Sequence, residues 1–176
     1  MKTNRIVKIG MLTAIAYLLQ ILGSFVGLKV SGFLEIEFSD LPALIGALAL
    51  GPVSGVLIEL LKNLLHCLST STGFVGEFAN FVINGTFVLT AGLIYKLNRS
   101  RKGAVIGMAI ATIVMAFAGV FANLYIMLPL YMPQADFTTK MQLVLYTIAP
   151  FNLVRGAALS CITYLSYKKL KKALKL

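Results

Sequence analysis

The sequence predicts an all-α integral membrane protein, a single domain over residues 1–176. Its expected architecture is a six-transmembrane-helix bundle with a structured outer loop between helices 1 and 2. Three observations carry that expectation. Only 12% of the 176 residues are charged and 59% are hydrophobic, whereas a soluble domain carries about 25% charge. Uncharged runs cover 9–28, 41–58, 78–95 and 103–135, and roughly 20 helical residues cross the ~30 Å hydrocarbon core. The cations gather where such helices would end: Lys2, Arg5 and Lys8, then Lys96, Arg99, Arg101 and Lys102, then Lys168, Lys169, Lys171, Lys172 and Lys175.

That distribution decides what the net charge of +10 means. These clusters hold 12 of the 16 cations, all at membrane edges, where positive residues act as cytoplasmic anchors. The partner they imply is the lipid bilayer, and no nucleic acid is expected.

The elements follow in order. Helix 1, about 6–25, enters from the cytoplasm behind its basic flank. Its uncharged run of 20 residues exceeds a signal-peptide core, so it is kept as a helix. Residues 27–40 form a loop in which Leu34, Ile36 and Phe38 alternate with Glu35 and Glu37, the pattern of a short extended segment or lid. Ser39 or Asp40 caps helix 2, about 41–50, with Pro42 in its first turn. Gly51-Pro52 breaks the run, and helix 3 follows at about 53–68. Helix 4, about 75–95, ends in the basic loop 96–102. Helix 5 covers about 104–130, with Pro129, Pro133 and Asp136 marking its exit. Helix 6, about 142–167, leads into the basic tail, and Pro150 is expected to bend or start a helix there. Six spans put all three basic clusters, and both termini, on the cytoplasmic side. One kinked span through Gly51-Pro52 would make five and leave a basic cluster outside.

Arg155 is the costliest residue in this scheme. A charge near a bilayer centre costs a few kcal/mol or more and usually faces a bundle interior or polar cavity. Asn152, three residues earlier, shares its helix face. At ~1.5 Å per residue, Arg155 lies roughly 20 Å above the cytoplasmic edge and Asn152 roughly 4–5 Å higher. Asn123 comes out near the outer boundary, at roughly 30 Å. These residues converge on the outer half, where the loop bearing Phe33, Glu35 and Glu37 could cover them. Two amides and a guanidinium in an apolar pocket suit a flat heterocycle with carbonyls and ring nitrogens. The plainer alternative is that they only tie helices 5 and 6 together.

Glu59, Lys62 and His66 share a face of helix 3. An intramembrane enzyme using Glu59 or His66 as a base is one reading, and a Glu59–Lys62 pair inside the bundle is the other. With one histidine in the chain, no imidazole-rich metal site is available, and no metal or catalytic residue is assigned. Glu77, Asn80 and Asn84 line a face of helix 4, with Glu77 near its outer end, as pocket wall or polar seam. Cys67 and Cys161 have no metal-like spacing and read as small core residues. Gly10 and Ala14 form a small-x-x-x-small pair on helix 1. No phosphate-binding ATPase motif is present, so uphill transport would draw on an ion gradient or another subunit.

Two stretches resemble a known family. One is Phe33-Leu-Glu-Ile-Glu-Phe-Ser-Asp through Leu50-Gly-Pro52, continuing to Glu59-Leu-Leu-Lys-Asn-Leu-Leu-His66. The other is Asn123 with Pro129-Leu-Tyr131, then Pro150-Phe-Asn-Leu-Val-Arg-Gly156. Together they are similar to the substrate-binding S components of energy-coupling-factor (ECF) vitamin transporters, most of all the riboflavin-specific type. The resemblance implies an outward-facing site and a gate at loop 27–40, so that Phe33, Leu34 and Glu35 join Asn123, Asn152 and Arg155 as substrate-binding candidates, to which the polar face of helix 4 adds Glu77 and Asn80. The asparagines and the basic residue would contact the flavin ring. Arginine at 155 departs from the family's usual lysine. The resemblance further implies no cofactor and no enzymatic activity. It implies as partners riboflavin or a related flavin, a membrane coupling subunit docking at Gly10 and Ala14, and two cytoplasmic ATPase subunits. An S component for folate or pantothenate remains the alternative.

Overall fold

A computed structural model describes residues 2–26, 28–31, 34–36, 38–69 and 74–173, with the side-chain surroundings of 24–37 and of residues beyond 166 outside that description. Helix α1 runs Lys2–Val26. Strands β1 (Leu28–Ser31) and β2 (Leu34–Ile36) pair antiparallel, with Lys29 opposite Glu35. Then come α2 (Leu41–Leu50), α3 (Pro52–His66) and α4 (Val75–Leu97). Helix α5 (Arg101–Ala122) passes through a π turn, Asn123–Met127, into α6 (Leu128–Tyr131). Helix α7 (Phe137–Leu143) passes through a second π turn, Val144–Ile148, into α8 (Ala149–Ala173). Asp136 caps α7, its carboxylate accepting from the Thr139 backbone N–H. Among the described residues four helical stretches are long and apolar enough to cross a membrane: Thr3–Gly23, Val75–Leu97, Arg101–Tyr131 and Phe137–Ser166.

Helices α2 and α3 are shorter and fold back on each other. A single residue, Gly51, separates them. Its φ of 102° lies in the left-handed region that side chains disfavour, and Pro52 starts the next helix at once. A Cβ on Gly55 would fall 2.6 Å from the Ala47 Cβ, and one on Gly46 would strike the Ile58 side chain. The two helices therefore lie side by side as an antiparallel hairpin, which excludes a single kinked span. The core gathers around this hairpin: Ala43, Leu44 and Ala47 of α2, Ile58 of α3, Phe87, Val88 and Ala91 of α4, and Met115 of α5. Small residues let backbones approach closely where no hydrophobic drive holds helices together in lipid. Large apolar side chains such as Ile15, Leu18, Ile113 and Phe117 point outward, as a lipid solvent requires.

The two π turns share a pattern. Pro129 lies two residues past the first, and Pro150 two residues past the second. A proline ring clashes with the carbonyl four residues back, and a wider turn accommodates it without ending the helix. Pro150 is the second residue of α8, just past the π turn, and the helical run continues through it. The π turns touch each other, and Leu124, Leu128, Val144, Ile148 and Phe151 form a second apolar cluster there.

Helix packing at Gly55 has a testable consequence. A Cβ there would also fall 2.5 Å from the Val88 Cγ1, so Gly55→Val should destabilise the protein by about 1–3 kcal/mol through overpacking. A lower thermal midpoint in detergent is the expected outcome, and an unchanged midpoint would contradict the packing.

Candidate functional site

The residue that organises the site is Asp40, at the start of α2. It stands at the cap position, yet its side chain makes no cap bond. Its two carboxylate oxygens are engaged elsewhere. Lys62 Nζ donates to Oδ1 at 2.5 Å, and Arg155 Nη2 donates to Oδ2 at 2.6 Å. Lys62 also donates to Ser39 Oγ at 3.2 Å and pairs with Glu59 Oε2 at 2.8 Å. Asp40, Glu59 and Lys62 are fully buried, and Arg155 is 10% exposed. The expectation that Ser39 or Asp40 caps α2 is therefore corrected: both serve buried cations from other helices. The Glu59–Lys62 pair inside the bundle is found, embedded in a larger cluster of two acids and two cations.

The acid that balances Arg155 comes from 115 positions away in the chain. Sequence reasoning missed Asp40 as a site residue because pairing across that separation leaves no local pattern. One signal was available: Asp40 and Arg155 both fall next to apolar segments with few other charges to choose from.

Asn123 and Asn152 converge on Gly119 of α5. Asn123 Nδ2 donates to the Gly119 carbonyl at 2.8 Å. Asn152 Nδ2 donates to the Ile148 carbonyl at 2.9 Å, and a Cβ on Gly119 would fall 2.5 Å from that nitrogen. Both amides are buried, and both bonds involve a π turn or its flank. Each amide carries a second N–H and a carbonyl oxygen beyond the bond to its own helix. One turn further along α8, Gly156 packs against Thr112 of α5. Gly119 and Gly156 thus let α5 and α8 close around the two amides. Gly119 is a site residue the sequence did not single out.

On α4, Glu77 is buried and lies 2.9 Å from His66 Nδ1, joining the end of α3 to the start of α4. Asn80 accepts from Asn84 on the same helix. The π turn bearing Asn123 packs on α4, and α8 packs on α2. Leu34 and Glu35 lie on β2. Phe33 lies outside the described residues. Gly10 and Ala14 are exposed on α1, and a Cβ on Gly10 would meet nothing within 4 Å. Among the described residues no group of three or more His, Cys, Asp or Glu side chains could hold a metal ion. Cys67 and Cys161 are free thiols, Cys161 exposed, so the expectation of core cysteines is not met at that position.

Residues 4–167 match the family described as ECF transporter, substrate-specific component. The chain is 37% identical to the riboflavin transporter RibU of Staphylococcus aureus, over 99% of this chain and 94% of that protein. It is 32% identical to the riboflavin transporter FmnP of Bacillus subtilis, over 97% and 94% of the two chains. Its fold is similar to a solved S component of a bacterial ECF transporter, with a TM-score of 0.83, 36% identity and full coverage of both chains. It also shares the fold of ThiT from Listeria monocytogenes, at a TM-score of 0.66 and 16% identity, covering 96% of this chain and 97% of that one.

The buried cluster sets an asymmetric expectation. Lys62→Met leaves Asp40 and Glu59 buried without their shared cation, which costs about 3–5 kcal/mol. Glu59→Gln keeps the Lys62–Asp40 pair and should cost less. Thermal unfolding of the two variants in detergent checks the order; equal losses would contradict it.

Proposed function

The chain belongs to the substrate-specific components of ECF transporters, and from that membership we propose that it captures riboflavin at the outer face of the cell membrane for uptake. It is a membrane protein and a transport component rather than an enzyme. The observation that carries the riboflavin reading is the match, over nearly the whole chain, to proteins named riboflavin transporters. No cofactor takes part; riboflavin is the cargo.

The site in this reading is built from Asn123, Asn152 and Arg155, with Glu77 and Asn80 on the facing helix and Phe33, Leu34 and Glu35 in the covering loop. Gly119 supports it by letting the two amides meet at one level. The amides supply donors and acceptors to the ring's carbonyls and nitrogens. Arg155 carries N–H donors in a planar fork, one of which donates to Asp40. Arginine at this position therefore suits a site where a carboxylate and a flat ring lie on either side of the cation.

The six spans, with both termini cytoplasmic and the site facing outward, follow from the basic clusters. The proximity of Arg5, Lys96 and Arg99 at one end of the bundle supports that orientation. Asp40 lies opposite, at the far end of α2. The β1–β2 hairpin leads into Asp40 within a few residues, so a ligand that draws on Arg155 would be felt at the covering loop. Delivery inward rests on a membrane coupling subunit and two cytoplasmic ATPase subunits. The open small-residue surface at Gly10 and Ala14 supports docking of the coupling subunit there.

The test is riboflavin binding by the purified protein, read as quenching of flavin fluorescence. Wild-type protein should quench at micromolar flavin or below. Asn152→Ala and Arg155→Ala should each weaken binding by about 1–3 kcal/mol. Absence of quenching, with stabilisation by a different vitamin, would overturn the cargo assignment. Unchanged affinity in both variants would move the site elsewhere. Gly119→Ala should also weaken binding, because the new methyl group displaces the Asn152 amide.

A further inference from the structure

The end of the bundle away from Asp40 holds a cavity of about 470 Å³. Its wall includes the Gly51–Pro52 turn, Arg5 of α1, Tyr95 and Lys96 of α4, and Arg99 just beyond. Arg5 is exposed but tethered by hydrogen bonds. Its Nε and Nη2 donate to Ser54 Oγ at 3.1 Å and 2.7 Å, and Ser54 donates onward to the Leu50 carbonyl at 3.2 Å. Gly51, Pro52 and Val53 at the start of α3 line the same space, so the positive end of the helix dipole adds to its field, although Pro52 has no N–H and the Ser54 and Gly55 N–H groups donate to the Gly51 carbonyl. Among the described residues, no acid lines the cavity. The acids whose side-chain surroundings are described are committed elsewhere: Asp40 and Glu59 to Lys62, Glu77 to His66, and Asp136 to its helix cap.

Three cations and a helix N-terminus around one cavity, with no counter-charge, describe a receptor for a multiply accepting anion. We propose that this cavity binds a phosphate group, carried by an anionic lipid headgroup or supplied as free inorganic phosphate. Phosphate suits it because its oxygens accept from several directions at once. Basic pockets between transmembrane helices at the membrane edge take lipid headgroups on the same physical grounds. The bound group would bridge α1, the α2–α3 turn and the end of α4, which otherwise repel one another there. This site is separate from the riboflavin site, and its test does not depend on that assignment.

The experiment measures thermal unfolding of the full chain in a neutral detergent. Phosphatidylglycerol or phosphatidylcholine is added to the micelles, and in a separate arm inorganic phosphate replaces chloride at matched ionic strength. The variant is Lys96→Gln with Arg99→Gln, both exposed side chains whose loss should leave the fold intact. Phosphatidylglycerol should raise the wild-type midpoint by several degrees, phosphatidylcholine should not, and the variant should lose at least half of the gain. Stabilisation by inorganic phosphate as well would assign the free anion as a sufficient ligand; stabilisation by phosphatidylglycerol alone would assign the headgroup. The proposal is overturned if neither phosphate source stabilises the protein, if the two lipids act alike while phosphate is inert, or if the variant responds as fully as wild type.

Discussion

The Asp40 carboxylate is the constraint on which the upper half of this molecule depends. Burying a carboxylate is costly unless it is paired and hydrogen-bonded, and here Lys62 takes one oxygen and Arg155 the other. Those bonds join the start of α2 to α3 and to α8. The cations are bound by the arrangement in turn: Arg155 pairs with Asp40, and Lys62 is shared between Asp40 and Glu59. Three helices are therefore held in one register by charges that no single helix could accommodate. A cluster of this kind adds little net stability over a well-packed apolar one, so its value lies in position. It fixes the guanidinium of Arg155, three residues past Asn152 on α8, and fixes the point where the β1–β2 hairpin joins the bundle.

The asparagines depend on a second device. Pro129 and Pro150 each follow a π turn, and the turns abut around Leu124, Leu128, Val144, Ile148 and Phe151. Widened turns shift the face that a helix presents, which carries Asn123 and Asn152 toward Gly119. Proline thus contributes by reshaping the helix around the amides rather than by breaking it. Gly119 completes the arrangement, since any side chain there would occupy the place of the Asn152 amide.

The class of the protein was legible because charge is costly in lipid: the long uncharged runs and the edge-placed cations leave few other readings. The cost of Arg155 marked it from sequence alone, and its spacing to Asn152 marked the face. What could not be read is what that arginine touches. Asp40 looked like a helix cap, since the local chemistry of a cap and of a long-range ion pair begins with the same residue type. Gly119 was one glycine among 15, and only the packing of α5 on α8 distinguishes it. Pro129 and Pro150 read as a helix exit and a bend, because the packing that carries the helices through them is tertiary. The pairing of His66 with Glu77 likewise joins two helices across a polar loop that carries no pattern of its own.

In the proposed site, Asp40 and Arg155 act as one unit toward the ligand. A double-mutant cycle on riboflavin affinity tests it most directly, using Asp40→Asn, Arg155→Met and the combination. If the pair works as a unit, the two single losses overlap, and the double variant binds more tightly than their sum by more than about 1 kcal/mol. Strict additivity, or full affinity in Asp40→Asn, would contradict it.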